Sequence, residues 1–236
     1  MPNILGRISL FPYDFEPQGW KFCQGASLPI DEFLALFQLL GTTFGGDGHQ
    51  TFALPSFEAP QGCHYGISMN GAFQDVSYQG VVGETLIWIR RNTPRDLVEC
   101  AGQSLESALY RVLEIYLGTR FGDQGEEYVV VPDLRGRAPA HSRYLMAERG
   151  EIPEESRPDS LLGEILLLPY DRPYQSIRIC NGEVLQIGQN MALYSVLGKK
   201  FGGDGIQTFA LPDLRPAAPP QFNYYISIQG MFPART

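Results

Sequence analysis

The chain has 236 residues, of which 44% are hydrophobic, 12% aromatic and 19% charged, a balance that excludes disordered and collagen-like classes. Its 18 Lys and Arg against 26 Asp and Glu leave a net charge of −8, so neither a nucleic-acid backbone nor an anionic lipid surface is an expected partner. No apolar run approaches the roughly 18 residues of a membrane span, and the first apolar stretch is broken by Arg7, Asp14 and Glu16, so neither membrane insertion nor a signal peptide is expected.

Along the chain, Ile8-Ser9-Leu10-Phe11 reads as a short buried strand closed by Pro12,. A Cys23-x-Gly25 segment follows. Ala35, Leu36, Leu39 and Leu40 then mark one face of a helix of about ten residues, with Gly41 placed for a left-handed C-terminal cap,. Such a helix is too short to persist alone and must dock on the strands. The turn Gly45-Gly46-Asp47-Gly48 leads into a second strand, Thr51 to Leu54, stopped by Pro55.

This pattern recurs. Gly6, Cys23, Gly25, Leu28, Gly41, Phe44, Gly45 and Pro55 return 77 residues on as Gly83, Cys100, Gly102, Leu105, Gly118, Phe121, Gly122 and Pro132. A step of 80 then gives Gly163, Cys180, Gly182, Leu185, Gly198, Phe201, Gly202 and Pro212,. GTTFGGDGHQTFALP from Gly41 and GKKFGGDGIQTFALP from Gly198 differ only at the second, third and ninth positions, whereas the middle copy, GTRFGDQGEEYVVVP, has diverged. Thr85 to Trp88 and Ile165 to Leu168 are the further first strands, and Tyr128 to Val131 and Thr208 to Leu211 the further second strands. Each copy also ends with Tyr and Gly six positions apart, at Tyr65, Tyr144 and Tyr224. Gln74 to Val81 is a short polar linker, and Glu148 to Ser160, charged and with two prolines, reads as an exposed tether,. Three units follow, 1–76, 77–153 and 154–236. Each is near the size at which one core is marginal, which favours mutual packing.

Candidate site residues each admit a plainer role. Asp47 and Asp204 stand in the glycine turns, where one carboxylate per turn and no following Lys-Ser/Thr disfavour calcium and phosphate and leave a tight turn. Arg135 and Arg137 flank Gly136, and Arg215 repeats the first of them. Such arginines can clamp an anion, or pair with Asp133 and Asp213 to brace a strand exit. Trp20 and Trp88 align with apolar residues and read as core, whereas Tyr13 and Tyr170, in repeated Pro-Tyr-Asp turns, read as surface aromatics. Cys23, Cys100 and Cys180 share one position and read as buried small hydrophobes. Cys63-His64 lacks the partners of a nucleophile, and His49 reads as a solvated loop residue. His64, His141 and Gln221 share a register and would meet at a three-fold axis. They are a weak set for a metal, and no cofactor is implied.

The order Trp20-x-x-Cys23-x-Gly25, Leu40-Gly41-x-x-Phe44-Gly45-Gly46-Asp47-Gly48 and Thr51-Phe52-Ala53-Leu54-Pro55 resembles the phage tail collar domain. Pro132-Asp133-Leu134-Arg135-Gly136-Arg137 and the ending Ile226-Ser227-Ile228-Gln229-Gly230-Met231-Phe232-Pro233 carry the same resemblance. It implies an α+β fold of three tandem collar-like units and a non-enzymatic, structural or adhesive part of a tail fibre, contractile injection apparatus or surface filament. Fibre proteins of the family are generally trimeric, so three fused units suggest a pseudo-three-fold, single-chain monomer. Its partners would be other tail or filament proteins. The chain would be made in the cytoplasm and carried out by the particle. Three residues at most separate His64 or His141 from the final Tyr, where the family usually carries a variable insert. A module binding carbohydrate or another cell-surface ligand through the Pro-Tyr-Asp and glycine turns is the alternative reading. No Ser-His-Asp order or paired carboxylates support an enzyme.

Overall fold

A computed structural model describes residues 4–72, 78, 80–89, 93–150, 160–171 and 175–235. Most of the two expected linkers lies outside these residues. The same element order runs three times. The first unit holds β1 (Ile8–Phe11), β2 (Trp20–Phe22), β3 (Ser27–Pro29), α1 (Leu34–Leu40), β4 (Thr51–Ala53) and β5 (His64–Ser68). The second holds β6 (Thr85–Trp88), β7 (Leu97–Glu99), β8 (Ser104–Glu106), α2 (Arg111–Leu117), β9 (Tyr128–Val130) and β10 (Arg143–Ala147). The third holds β11 (Ile165–Leu168), β12 (Ile177–Ile179), β13 (Val184–Gln186), α3 (Met191–Leu197), β14 (Thr208–Ala210) and β15 (Asn223–Ser227). Among the described residues the fold is thus mostly strand, with three short α-helices.

The first strand of each unit is buried at all four positions, which is why these strands read as continuous apolar runs rather than alternating ones. Each helix has 7 residues, shorter than the periodicity predicts. It stops where the amide of the capping glycine, at Gly41 with φ +55°, donates to the Phe37 carbonyl at 2.7 Å. Leu36 and Leu40 in α1, Leu113 and Leu117 in α2, and Leu193 and Leu197 in α3 are buried. Each helix covers a small hairpin of its own unit, β3 with β4, β8 with β9, or β13 with β14. Phe37 meets Phe52 and Tyr194 meets Phe209 at centroid separations of 5.6 and 5.5 Å.

All other strands form one curled nine-stranded sheet. In each unit the last strand lies between the first and second, antiparallel to both: β5 between β1 and β2, β10 between β6 and β7, β15 between β11 and β12. The units join through their first strands. Leu10 of β1 pairs with Ile165 of β11, and Leu167 of β11 with Thr85 of β6. Both junctions use the same two repeat positions, the third residue of one strand against the first of the next, and β1 also packs against β6. Apolar side chains from all three units form one core cluster, including Leu10, Ile87, Leu167 and the three repeat cysteines.

Immediately before these strands, Arg7, Glu84 and Glu164 occupy one repeat position and meet in space. The Arg7 guanidinium lies 2.6 Å from Glu164 and 3.6 Å from Glu84, with the carboxylates only 4% and 3% exposed. Ser9 donates to Glu164 at 2.8 Å, and each glutamate also accepts a backbone amide of its own turn, from Val81 or Leu161. Carboxylates this deeply desolvated require such compensation.

Candidate functional site

The loop after each helix reaches onto the next unit. Phe44 sets its ring edge-on to His141 of the second unit, 5.9 Å between centroids. Phe121 packs on Phe222 of the third unit at 5.6 Å, and Phe201 of the third lies against Gly62 of the first. Beside two of these phenylalanines stands a cation. Arg120 pairs with Asp171 at 3.3 Å, and Lys200 bonds Asp14, which also meets His64 at 3.3 Å. Lys200 and His64 hold the Asp14 carboxyl below the usual aspartate range, the bond from Lys200 contributing most. Neither the cations nor the phenylalanines stood out in the sequence as site residues. The phenylalanines were visible only as part of the repeat register.

Tyr13 and Tyr170, expected at the surface, are buried at 1% and 3% exposure. The Pro-Tyr-Asp turn projects its tyrosine inward across a unit boundary and its aspartate outward. The Tyr170 hydroxyl donates to the Val82 carbonyl at 2.8 Å and its ring packs on Tyr116, while Tyr13 lies over Gly163. Burial raises the Tyr13 phenol far above its ordinary value, and the nearby Glu164 charge adds to this. These tyrosines are inter-unit anchors, not sugar platforms. In the second unit Arg90 and Arg91 replace the Tyr-Asp pair and lie outside the described residues.

The histidines do not share a register in space. The loop before β5 is two residues shorter than its counterparts, so Gly62, His141 and Gln221 are the matching positions, with φ of +75°, +62° and +68°. His64 instead starts β5, as Arg143 starts β10 and Asn223 starts β15. It stacks on Phe22 at 4.6 Å and contacts Gln24. Counting a constant step of 77 misses the deletion, although the spacing from Pro55 to Tyr65, two shorter than from Pro132 to Tyr144 or Pro212 to Tyr224, records it in the sequence. Among the described residues no group of three or more His, Cys, Asp or Glu side chains is placed to hold a metal ion.

Asp47 and Asp204 each turn one carboxylate oxygen onto the backbone amides of the residues two, three and four ahead, at 2.7 to 2.8 Å. These bonds hold both carboxyls at about 2. The oxygens brace the turn, as the tight-turn reading expects. Arg135 grips Asp133 through two bonds of 2.9 and 2.6 Å, and Arg215 grips Asp213 at the same distances. The Asp133 carboxyl is held at about 2 by that side-chain bond first. Arg137 has no carboxylate within ion-pair distance among the described residues. Its chain neighbours Gly136 and Ala138 line a cleft of about 320 Å³ together with Glu99, Cys100, Arg135, His141, Arg143 and Tyr144 among others. All four cysteines are free and buried, and burial pushes the Cys63 thiol up to about 12.

The phage tail collar domain matches this chain three times in tandem, over residues 6–59, 83–139 and 163–219. The chain belongs to the phage tail collar family. No curated protein matches it.

Each collar match runs from just before the unit's first strand to the loop beyond its small hairpin, so the last strand of every unit lies beyond the matched segment. What distinguishes the middle collar unit is now specific. Its Asp123 accepts a single backbone amide, from Gly125, in place of three. Its helix and the turn before it also carry exposed apolar side chains, Ile115 at 74% and Leu109 at 61%, where the other units have Gln38 and Ser195, and Glu32 and Gln189.

Proposed function

We propose that this collar protein is a non-catalytic structural component of a phage-tail-like fibre, injection apparatus or surface filament, in which one chain does the work of a trimer. On this reading the units stand around a pseudo-three-fold axis and the chain works as a monomer carried on the particle. The observation that carries the proposal is the cyclic order of the joints. The post-helix loop of unit one meets unit two, that of two meets three, and that of three returns to unit one. At the C-terminus the same order holds, and the last segment of unit three pairs back on unit one through Pro17 with Arg235 and the Gln18 amide to Ala234. Head-to-tail contacts of one kind that close on themselves are what a rotation axis requires.

Fusing the copies lets each diverge, and the exposed Leu109, Val112 and Ile115 row of the second unit supplies a face that a symmetric trimer would have to present three times. We assign the attachment of a neighbouring tail protein to that face. Light scattering is expected to give 26.3 kDa. A mass three times greater overturns the single-chain reading. Ile115→Asp is expected to release the chain from particles while leaving its melting temperature unchanged.

A further inference from the structure

We propose that Asn70 is a site of spontaneous deamidation and backbone rearrangement, placed beside the point where the C-terminal segment of the third unit returns to the first. The sequence holds two Asn-Gly pairs, Asn70-Gly71 and Asn181-Gly182. In such a pair the glycine amide nitrogen attacks the asparagine Cγ, because a following residue without a Cβ leaves that nitrogen unhindered. The N–Cγ bond forms, the Cγ–Nδ2 bond breaks, and the amide proton leaves with the side-chain nitrogen as ammonia. Water then opens the cyclic imide. Attack at Cγ gives aspartate, and attack at the main-chain carbonyl gives isoaspartate, which carries an extra carbon in the backbone.

The fold treats the two pairs differently. The attacking nitrogen must first give up its proton, so an amide that donates a hydrogen bond is protected. The Gly182 amide donates to the Pro212 carbonyl at 3.2 Å. Asn181 forms a β-bridge with Asp213, is half-buried, and accepts the Glu183 amide on its Oδ1 at 3.0 Å. Asn70 and Gly71 are both exposed, and the Gly71 amide has no acceptor among the described residues. The Asn70 carbonyl accepts the Ser68 hydroxyl at 2.7 Å, which holds the turn without engaging the glycine nitrogen. Arg149 and Gln229 stand before the matching glycines of the other units, so the chemistry is confined to the first.

The placement gives the reaction a consequence. A Cβ on Gly19 would meet the Asn70 Oδ1 at 2.7 Å, so Asn70 lies against the residue that follows Pro17 and Gln18, on which the third unit's C-terminal segment pairs. Two residues beyond Asn70, the Ala72 carbonyl accepts the Leu5 amide at 3.2 Å. An extra backbone carbon and a new negative charge at Asn70 therefore disturb both the Leu5 and the Gln18 ties.

Ageing the full chain at physiological temperature and mildly alkaline pH, followed by peptide mass mapping and enzymatic methylation of isoaspartate, tests this. Asn70 is expected to convert at least tenfold faster than Asn181 in the folded chain, and at a comparable rate in the urea-unfolded chain, where the protecting bonds are absent. Hydrogen exchange in the aged chain should quicken at the Leu5 and Gln18 amides and stay unchanged at Gly182. Asn70→Gln should lose both the conversion and the quickened exchange on ageing. Equal conversion of the two asparagines in the folded chain, or conversion at Asn70 in urea alone, overturns the site. Conversion at Asn70 with unchanged exchange at both Leu5 and Gln18 overturns the consequence drawn from its placement.

Discussion

Asp47 and Asp204 were visible in the sequence as turn residues, and their chemistry follows from the turn. A carboxyl held at about 2 in the folded chain, against 3.8 ordinarily, stabilises the fold fully above about pH 4. The contribution fades as pH falls through 3.8 toward 2, because the unfolded state takes up the proton first. Urea midpoints measured between pH 5 and pH 2 are expected to fall across that window, and less steeply in Asp47→Asn, which keeps an acceptor oxygen but does not titrate there. The neighbouring Gly46 is fixed for a different reason. At φ +95°, a Cβ there would overlap the Phe52 Cα and the Thr51 carbonyl, so Gly46→Ala should cost on the order of 3 kcal/mol. At Gly41, where a Cβ meets nothing within 4 Å, the cost should be the backbone strain alone, about 1–2 kcal/mol. Chemical denaturation of the two variants separates these cases. Asp123 stands at the Gly46 position of the second unit, and its turn is bonded differently.

Among the elements, the first strands, the helices and the later strand of each small hairpin, β4, β9 and β14, were legible because burial on both strand faces, the i, i+4 apolar spacing and the capping glycines are local signals, whereas β3, β8 and β13 were not. The second strands were not. Lys21 between Trp20 and Phe22, or Arg178 between Ile177 and Ile179, leaves runs of three residues with little pattern, and pairing to the unit's last strand is what makes them strands. The Pro-Tyr-Asp turn misled for a related reason, since a turn sequence indicates reversal of the chain but not what the reversed chain packs against. Tyr170→Phe is expected to cost about 1 kcal/mol by leaving the Val82 carbonyl unbonded, and Tyr170→Ala about 3–5 kcal/mol through the cavity at the unit boundary. Thermal unfolding of both variants checks the ordering. An equal, negligible effect would mean the ring is not an anchor.

For the whole molecule, the charge cluster of Arg7, Glu84 and Glu164 ties three units through one repeat position. Identical units would place three like charges there, so the single arginine is a device available only to a fused chain. Arg7→Gln leaves two buried carboxylates facing one another and should destabilise by about 3–5 kcal/mol, read from urea midpoints at neutral pH. The proposed axis makes a second demand. Because the C-terminal segment of unit three lies on unit one and the post-helix loops close in a cycle, a circular permutant with new termini between 153 and 154 and the old ends joined should melt within a few degrees of the original chain. Failure of the permutant to fold would count against equivalent joints.

Among the described residues no helix is long and apolar enough to cross a membrane, and the repeat, its register, the cap and turn chemistry and the collar family all follow from the sequence alone. These are properties of spacing, and spacing survives in one dimension. Which residues of different units meet is a property of three dimensions. The cation to aspartate joints and the burial of Tyr13 and Tyr170 were decided only when the three copies packed, because each joins residues that no local pattern connects.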